Sequence, residues 1–179
     1  MQEGYKVHIR KESIKFSSAH MTVFPDGTKE PLHGHNYQVS LTLGLKEADF
    51  KHMISFSEIK EILLGLCNYL DEKVLLAEEC PFFKWGKKSK TELEFTLCKK
   101  RYVLPADEVI VLPVENITTE LLALEFCSQF AQALDPALLL SVVTFVTIQI
   151  DETGGQGSSY TWVTPHKTEQ KIPKKARRH

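Results

Sequence analysis

The chain has 179 residues, 42% of them hydrophobic, and a formal net charge of −1 at pH 7. A chain of this length and composition is expected to form one soluble domain with a substantial core. The balanced charge indicates neither a nucleic-acid nor a membrane partner, and no apolar segment has the length or position of a signal peptide or a membrane span. We therefore expect a cytoplasmic protein.

Polar and apolar residues alternate in two N-terminal stretches, residues 5–17 and 35–45, as they do in strands with one buried face. The residues 24–28 between them, Phe-Pro-Asp-Gly-Thr, are typical of a turn. We therefore predict two neighbouring strands that are joined by a loop.

Two later segments have their apolar residues at helical spacing. The first helix is predicted over residues 57–70, with Ser55 or Ser57 as its N-cap. The second is predicted over residues 121–133 and ends before Asp135, which precedes a proline.

Further strands are indicated by short apolar runs between turn residues: residues 93–98, 101–104, 142–150 and 159–164. The first two are predicted to form a hairpin that turns at Lys99-Lys100, and the last two are joined by a glycine-rich segment. The predicted order is ββα, an insertion over residues 80–105, and αββ, which defines an α+β fold.

We assign residues 1–166 to a single domain and the basic residues 167–179 to a flexible C-terminal tail. The chain has four cysteines without CxxC spacing, namely Cys67, Cys80, Cys98 and Cys127. We expect them to be free thiols that bind no metal.

Three of the seven histidines, His20, His33 and His35, lie within sixteen residues of one another. His33 and His35 alternate along a predicted strand and face the same side, and the preceding strand can place His20 opposite them. The others lack such partners and are taken as ordinary histidines: His8, His52, His166 and His179. Three imidazoles without a fourth protein ligand are typical of a catalytic zinc site with one open position. We therefore predict a zinc enzyme, with ordinary surface or core histidines as the alternative.

Five motifs extend over most of residues 5–164: Phe16-Ser-Ser-Ala-His20, His33-Gly-His-Asn-Tyr37, Leu70-Asp-Glu-Lys-Val-Leu-Leu76, Asn116-Ile-Thr-Thr-Glu-Leu-Leu-Ala123 and Ile148-Gln-Ile-Asp-Glu-Thr153. Together they resemble the 6-pyruvoyltetrahydropterin synthase family, which includes 6-carboxytetrahydropterin synthases. The resemblance implies the tunnelling fold (T-fold), in which subunits join their sheets into an antiparallel barrel. It also implies a homohexamer (a dimer of trimers), Zn²⁺ on His20, His33 and His35, and a small-molecule pterin substrate.

The resemblance further implies that a carboxylate anchors the pterin ring, a role that falls on Glu152. An ionised carboxylate accepts two parallel N–H bonds from the guanidine-like edge of a pterin, which fixes the orientation of the ring. Thr118 and Thr119 match the loop that contacts the ring in the family. On residue type alone, the alternatives are an exposed strand-end acid and simple helix caps.

Family members usually carry a cysteine four residues before the His-Gly-His pair, where this chain has Lys29 followed by Glu30. The Glu-x-x-His-Gly-His form resembles a subgroup, found in malaria parasites and some bacteria, in which glutamate replaces the cysteine. That subgroup is associated with cleaving the side chain of 7,8-dihydroneopterin triphosphate to give 6-hydroxymethyl-7,8-dihydropterin for folate synthesis. We therefore predict that Glu30 is a general acid–base, worth roughly 100- to 10,000-fold in rate, beside zinc as the electrophile.

A second departure lies at Asp71 and Glu72, where typical members have Asp-His and use the pair in proton transfer. Asp71 matches this motif, but Glu72 replaces the histidine. Both stay candidate catalytic residues, with ordinary helix-end carboxylates as the alternative. Lys29 and Lys73 are candidates for holding the triphosphate because of their positions along the chain.

Two other functions are consistent with these residues. One is synthesis of 6-pyruvoyl- or 6-carboxytetrahydropterin with a different base, against which the loss of the cysteine and the histidine argues. The other is a non-catalytic protein that binds zinc and a pterin without turnover. A closed structural zinc site is disfavoured, because such sites normally have four protein ligands and often cysteines.

Overall fold

The computed structural model describes residues 4–164. Its strands are β1 (Tyr5–Ile9), β2 (Lys15–His20), β3 (His33–Leu45), β4 (Lys73–Ala77), β5 (Phe83–Lys88), β6 (Glu92–Leu97), β7 (Lys100–Pro105), β8 (Val109–Leu112), β9 (Val143–Thr153) and β10 (Gln156–Val163). The α-helices are α1 (Phe56–Leu70), α2 (Thr119–Ala133) and α3 (Pro136–Ser141), and short 3₁₀ helices cover Phe50–His52 and Ala106–Glu108.

A seven-stranded main sheet has the order β10-β9-β3-β2-β4-β8, and β1 pairs with β3 beside β2. The long strand β3 is central, because β9 pairs with one of its edges while β2 and β1 pair with successive halves of the other. These pairs are antiparallel, whereas β4 pairs in parallel with β2 and β8. The mixed α+β architecture that the sequence predicts is therefore present.

Helices α1 and α2 cover one face of the main sheet, and their buried residues complete its core. Phe16 of β2 links the layers, because its ring stacks on Tyr37 of β3 at 4.8 Å and on Phe126 of α2 at 5.5 Å between centroids. Burying one such phenylalanine contributes roughly 1.5–3 kcal/mol. The strands that carry the histidines thus rest on the larger of the two hydrophobic cores.

Both predicted helices are confirmed, and their N-caps explain where they begin. The Ser55 hydroxyl accepts a hydrogen bond from the backbone N–H of Glu58, and the Thr118 hydroxyl accepts one from that of Leu121. Helix α2 ends at Ala133, before Asp135, as predicted.

The single strand predicted over residues 5–17 is wrong, because the chain turns between β1 and β2. The backbone N–H of Ile14 donates to the Lys11 carbonyl at 3.0 Å. The Gln38 side chain then donates to the carbonyls of Lys11 and Ile14, which holds the turn against β3. Strands β4 and β8 and the short helix α3 are elements that the sequence patterns did not predict.

The predicted hairpin between the helices is confirmed and gains a third strand. Strands β5, β6 and β7 form a separate antiparallel sheet, here called the inserted sheet. Its turn lies at Cys98 and Lys99, one residue earlier than predicted, and both residues have positive φ. A second hydrophobic core joins this sheet to the main body: Met21, Leu76, Cys80, Phe95, Leu97 and Val109.

All four cysteines lie in the described part of the chain and are unpaired, with Cys67, Cys80 and Cys127 buried. No helix within residues 4–164 is long and apolar enough to cross a membrane. The predicted basic tail over residues 167–179 lies outside the described residues.

Candidate metal centre and its surroundings

Strands β2 and β3 bring together His20, His33 and His35, here called the histidine cluster. His20 lies directly opposite His33 in the antiparallel register, and His35 lies opposite Ser18. Alternation along the two strands turns all three rings to the same face of the sheet. Their centroids are 4.7–5.3 Å apart, and each ring offers a nitrogen within 4.8 Å of the others.

Backbone carbonyls orient two of these rings. The Nδ1 atom of His20 lies 3.1 Å from the Ile117 carbonyl oxygen, and that of His33 lies 2.9 Å from the Pro31 carbonyl oxygen. A carbonyl can only accept, so Nδ1 donates in both rings and Nε2 is left with a free lone pair. This orientation of a ring through its second nitrogen is typical of histidines that bind a metal.

His20 is the buried member of the cluster, with 2% of its surface exposed. Burial, and then the neighbouring His33 and His35, lower the pKa of His20 to about 4, so its imidazole is neutral at pH 7. Its Nε2 atom is buried without a hydrogen-bond partner among the described residues. A neutral ring with an unpartnered nitrogen that faces two other imidazoles fits a zinc ligand set.

Glu30 lies at the open side of the cluster. Its Oε2 atom is 3.8 Å from Nε2 of His33, and 42% of its side-chain surface is exposed. Its backbone N–H donates to the Thr22 carbonyl at 2.9 Å, while its own carbonyl accepts from the Lys29 ammonium at 2.8 Å. The arrangement places a carboxylate where it could exchange a proton with a molecule bound at the histidines.

Asn116 holds the loop that leads to Glu30, a role the sequence did not reveal. Its side-chain oxygen accepts from the backbone N–H of Val23 at 3.1 Å, and its side-chain nitrogen donates to the Val23 carbonyl at 2.8 Å. Val23 in turn bridges to Lys29 across the loop. The only sequence signal was the position of Asn116, two residues before the cap of α2.

Asp71 and Glu72 join the end of α1 to β2. The Asp71 Oδ1 atom accepts from the backbone N–H of Ser17 at 2.7 Å, and the Glu72 N–H donates to the Ser17 carbonyl at 2.7 Å. Glu72 has a φ of 56°, the left-handed conformation that favours glycine. These contacts give the pair a structural use, and their catalytic role stays a prediction.

Glu152 lies half-buried near the end of β9, at an irregularity in its pairing with β10. Gln156 pairs with Thr153 and Gly157 pairs with Asp151, which leaves Glu152 as an extra residue between the two pairs. A side chain at Gly157 would collide with Asp151, because its Cβ would lie 2.3 Å from Oδ1. Such bulges redirect side chains and are common next to active sites.

Thr118 caps α2, and the hydroxyl of Thr119 lies 2.8 Å from that of Ser158. Glu120 also belongs to this group. Its own backbone N–H, and then the hydroxyls of Thr118, Ser158 and Thr119, lower the pKa of its carboxyl. The helix caps named as the alternative are therefore present for Thr118, and contact of either threonine with a ligand stays a prediction.

The two lysines considered for phosphate binding already have partners. The Lys29 ammonium lies 5.3 Å from the centroid of Tyr102 in the inserted sheet. The Lys73 ammonium donates to the Asp107 carbonyl at 2.7 Å.

His52 has neighbours that its spacing did not indicate. Its Nδ1 atom lies 2.6 Å from Asp49 and 3.4 Å from Glu47, at the short 3₁₀ helix Phe50–His52. His8 contacts the Thr42 hydroxyl at 2.9 Å. His166 and His179 lie outside the described residues.

Solved structures share this fold. Plasmodium falciparum 6-pyruvoyl tetrahydropterin synthase is similar with a TM-score of 0.83 and 26% identity, over 91% of this chain and 100% of that chain. The Plasmodium vivax enzyme, in a mutant of a catalytic glutamate, is similar with a TM-score of 0.82 and 23% identity over the same shares. The protein is therefore a T-fold protein with a candidate three-histidine metal centre.

Sequence comparisons place it within that class. Residues 8–162 match the 6-pyruvoyl tetrahydropterin synthase family, and the chain belongs to this family. It is also 36% identical over 148 residues to a Methanocaldococcus jannaschii protein provisionally named 6-carboxy-5,6,7,8-tetrahydropterin synthase, covering 82% of this chain and 89% of that protein. The family predicted from the five motifs is thus confirmed, and membership supports an enzyme that acts on a pterin.

Proposed function

We propose that the protein is a zinc-dependent lyase that converts 7,8-dihydroneopterin triphosphate to 6-hydroxymethyl-7,8-dihydropterin. The observation that carries the proposal is the position of the Glu30 carboxylate, 3.8 Å from His33 of the histidine cluster. In this chain, Lys29 stands where members of the family usually have a cysteine. The Plasmodium vivax relative also has a catalytic glutamate. A glutamate is therefore a reasonable acid–base in this fold.

Zinc held by His20, His33 and His35 would supply a Lewis acid that polarises a substrate oxygen and lowers the pKa of its hydroxyl. The three rings need little rearrangement to act as ligands, because Ile117 and Pro31 already fix two of them through Nδ1.

Glu30 would take the proton from the C2′ hydroxyl of the substrate. The C1′–C2′ bond then breaks, C2′ becomes the aldehyde carbon of a triphosphorylated two-carbon fragment, and the electron pair passes into the pterin ring. Return of the proton from Glu30 to C1′ gives the hydroxymethyl product. Glu152 would hold the 2-amino and N3 edge of the ring throughout, since a carboxylate accepts two parallel N–H bonds.

Thr118 and Thr119 would contact the ring from the start of α2, and Asp71 and Glu72 would assist proton transfer. Lys29 and Lys73 would meet the triphosphate. The assignments of the threonines and carboxylates rest on the family resemblance, and those of the lysines rest on their positions along the chain. Each residue has another partner in the folded chain.

A second candidate is 6-carboxy-5,6,7,8-tetrahydropterin synthase. It is favoured by one specific observation, the 36% identity to the Methanocaldococcus jannaschii protein provisionally given that name. The two candidates differ in product, because the synthase product carries a carboxylate on C6 and the lyase product carries a hydroxymethyl group there.

The test is incubation of the zinc-loaded protein with 7,8-dihydroneopterin triphosphate, followed by identification of the product by mass spectrometry. We expect 6-hydroxymethyl-7,8-dihydropterin, with a rate that falls roughly 100- to 10,000-fold in Glu30→Ala. The matched control is Glu47→Ala, since Glu47 is also an exposed glutamate beside a histidine, 3.4 Å from His52.

A 6-carboxy product would establish the second candidate instead. Unchanged substrate, despite bound zinc and measurable pterin binding, would contradict both and indicate a non-catalytic binding protein. An equal loss of rate in Glu47→Ala would show that the effect of Glu30→Ala is not specific to the site.

We also propose that the protein assembles as a homohexamer, a dimer of trimers that closes the main sheets into barrels. The edge strands β10 and β8 of the sheet support this, because closure pairs backbone groups that an open edge leaves exposed. Light scattering coupled to size-exclusion chromatography would measure the mass, and a monomer at micromolar concentration would contradict the proposal.

A further inference from the structure

Tyr37 carries a hydroxyl that the packing of the chain does not explain. The residue is completely buried, with 0% of its surface exposed, and its ring stacks on Phe16. The hydroxyl has no hydrogen-bond partner among the described residues. Burying an unpaired hydroxyl costs free energy, and phenylalanine would fill the same space without that cost. The hydroxyl therefore points to a use outside packing.

The neighbours of Tyr37 indicate what this use is. On one side lies the histidine cluster, since the Tyr37 ring centroid is 5.8 Å from that of His35 and 6.2 Å from that of His20. The Tyr37 ring contacts the two histidine rings edge-on and stacks on Phe16, so it is held from three directions. It is thus a rigid donor, with little freedom to turn away from a partner.

Glu152 lies on the neighbouring strand. The register of β3 and β9 pairs Gln38 with Asp151, and Tyr37 and Glu152 are the next residues along each strand.

We propose that Tyr37 is a positioning residue for Glu152, whose carboxylate turns to accept a hydrogen bond from the Tyr37 O–H when a pterin is bound. This inference rests on the proposed role of Glu152 as the pterin anchor. A hydrogen bond to an ionised carboxylate is short and directional. It would leave the remaining lone pairs of Glu152 aimed at the 2-amino and N3 groups of a pterin.

The test compares two ligands that differ only at the group Glu152 recognises: pterin, and lumazine, which has an oxygen in place of the 2-amino group. Affinities are measured by fluorescence titration of the zinc-loaded wild type and Tyr37→Phe. We expect wild type to bind pterin more tightly than lumazine. In Tyr37→Phe the ratio of the two affinities should be about tenfold smaller, which corresponds to the free energy of one hydrogen bond to a charged group. Lumazine affinity should change little. Tyr102→Phe, the same substitution in the inserted sheet, is the matched control.

A general structural role would not change the ratio of the two affinities, so the ratio is the decisive readout. Equal pterin preference in wild type and Tyr37→Phe would overturn the inference. A second measurement combines Tyr37→Phe with Glu152→Gln. If Tyr37 acts through Glu152, the double variant loses no more preference than Glu152→Gln alone, whereas additive losses would contradict the inference.

Failure of the underlying function gives a different result. If wild type itself binds pterin and lumazine equally, Glu152 is not the anchor. The proposed roles of Glu152 and Tyr37 are then both wrong. If wild type discriminates and Tyr37→Phe discriminates equally, only the role of Tyr37 falls. Melting temperature is recorded for every variant, and we expect Tyr37→Phe to be at least as stable as wild type, since it removes an unpaired buried hydroxyl.

Discussion

The histidine cluster and the inserted sheet are held in place by different forces. In the cluster, the rings of His20 and His33 are oriented by single hydrogen bonds to backbone carbonyls. In the inserted sheet, aromatic rings pack face to face, with Phe95 centred 5.3 Å from Phe83 and 5.1 Å from Tyr102. Hydrogen bonds fix direction, whereas packing supplies stability without demanding exact geometry. Changes in the first region should therefore affect function, and changes in the second should affect stability.

The largest effect is expected from His20→Ala. It leaves two imidazoles in the cluster, and we expect bound zinc, measured by mass spectrometry of the metal, to fall from stoichiometric to near zero together with activity. His8→Ala is the control, because the exposed His8 ring contacts the Thr42 hydroxyl and does not belong to the cluster. Full zinc occupancy in His20→Ala would show that the cluster is not the metal site.

Phe95→Ala should lower stability and leave zinc binding unchanged, unlike His20→Ala. Phe95 is 0% exposed at the centre of the second core, and we expect a loss of roughly 3–5 kcal/mol in the free energy of unfolding by urea. Zinc content of the folded fraction should not change. Val103→Ala on the exposed side of β7 should cost less than about 0.5 kcal/mol. Loss of zinc in folded Phe95→Ala would remove the distinction between the two regions.

Asp71→Asn separates a structural from a catalytic carboxylate. The asparagine oxygen can still accept from the Ser17 N–H, so we expect a loss of at most about 1 kcal/mol in stability. Asparagine cannot take up or release a proton, so we expect kcat to fall by roughly 100-fold. Denaturation and steady-state kinetics on the same preparation would measure both. An unchanged kcat would contradict proton transfer by Asp71 and leave it only the structural contact with Ser17.

The smallest effects should come from two lysines that each lie over an aromatic ring of the inserted sheet. The Lys88 ammonium is 3.5 Å from the Trp85 centroid, and that of Lys29 is 5.3 Å from the Tyr102 centroid. Substitution of either by methionine should cost about 0.5–1 kcal/mol in stability.

Only Lys29→Met should also lower kcat, because the Lys29 ammonium donates to the carbonyl of Glu30 at 2.8 Å. The two variants thus form a matched pair, and equal kcat values would show that the inserted sheet does not influence Glu30. The assay is repeated with dihydroneopterin that lacks the triphosphate. This separates an effect of Lys29 on the position of Glu30 from an effect on phosphate binding. A loss seen only with the triphosphate would assign Lys29 to the phosphates.

The sequence predicted the parts of the fold whose patterns are local. The serine and threonine caps marked both long helices, and two alternating histidines marked β3. Strands β4 and β8 were missed because they are short, largely apolar runs without alternation, paired in parallel with strands far along the chain. Strand β5, although it alternates, is rich in lysine and glycine, which disfavour a strand assignment.

The candidate site shows the same limit. Its residue types could be named from motifs, but their partners could not. The Ile117 carbonyl reaches His20, and Asn116 reaches Val23, across more than ninety positions. The unpaired hydroxyl of Tyr37 is likewise a property of the folded interior, since no spacing in the sequence indicates which buried groups are left without partners.

The dependence of His20 on Ile117 has a consequence for the synthesis of the protein. All three histidines leave the ribosome early, but the carbonyl that orients His20 is 97 positions further along the chain. At the usual rates of translation this separation takes roughly 5–20 s. During that interval the strands can pair while the His20 ring remains free to rotate. The histidine cluster should therefore reach its final arrangement late, only when the segment before α2 has been made and has folded back over β2.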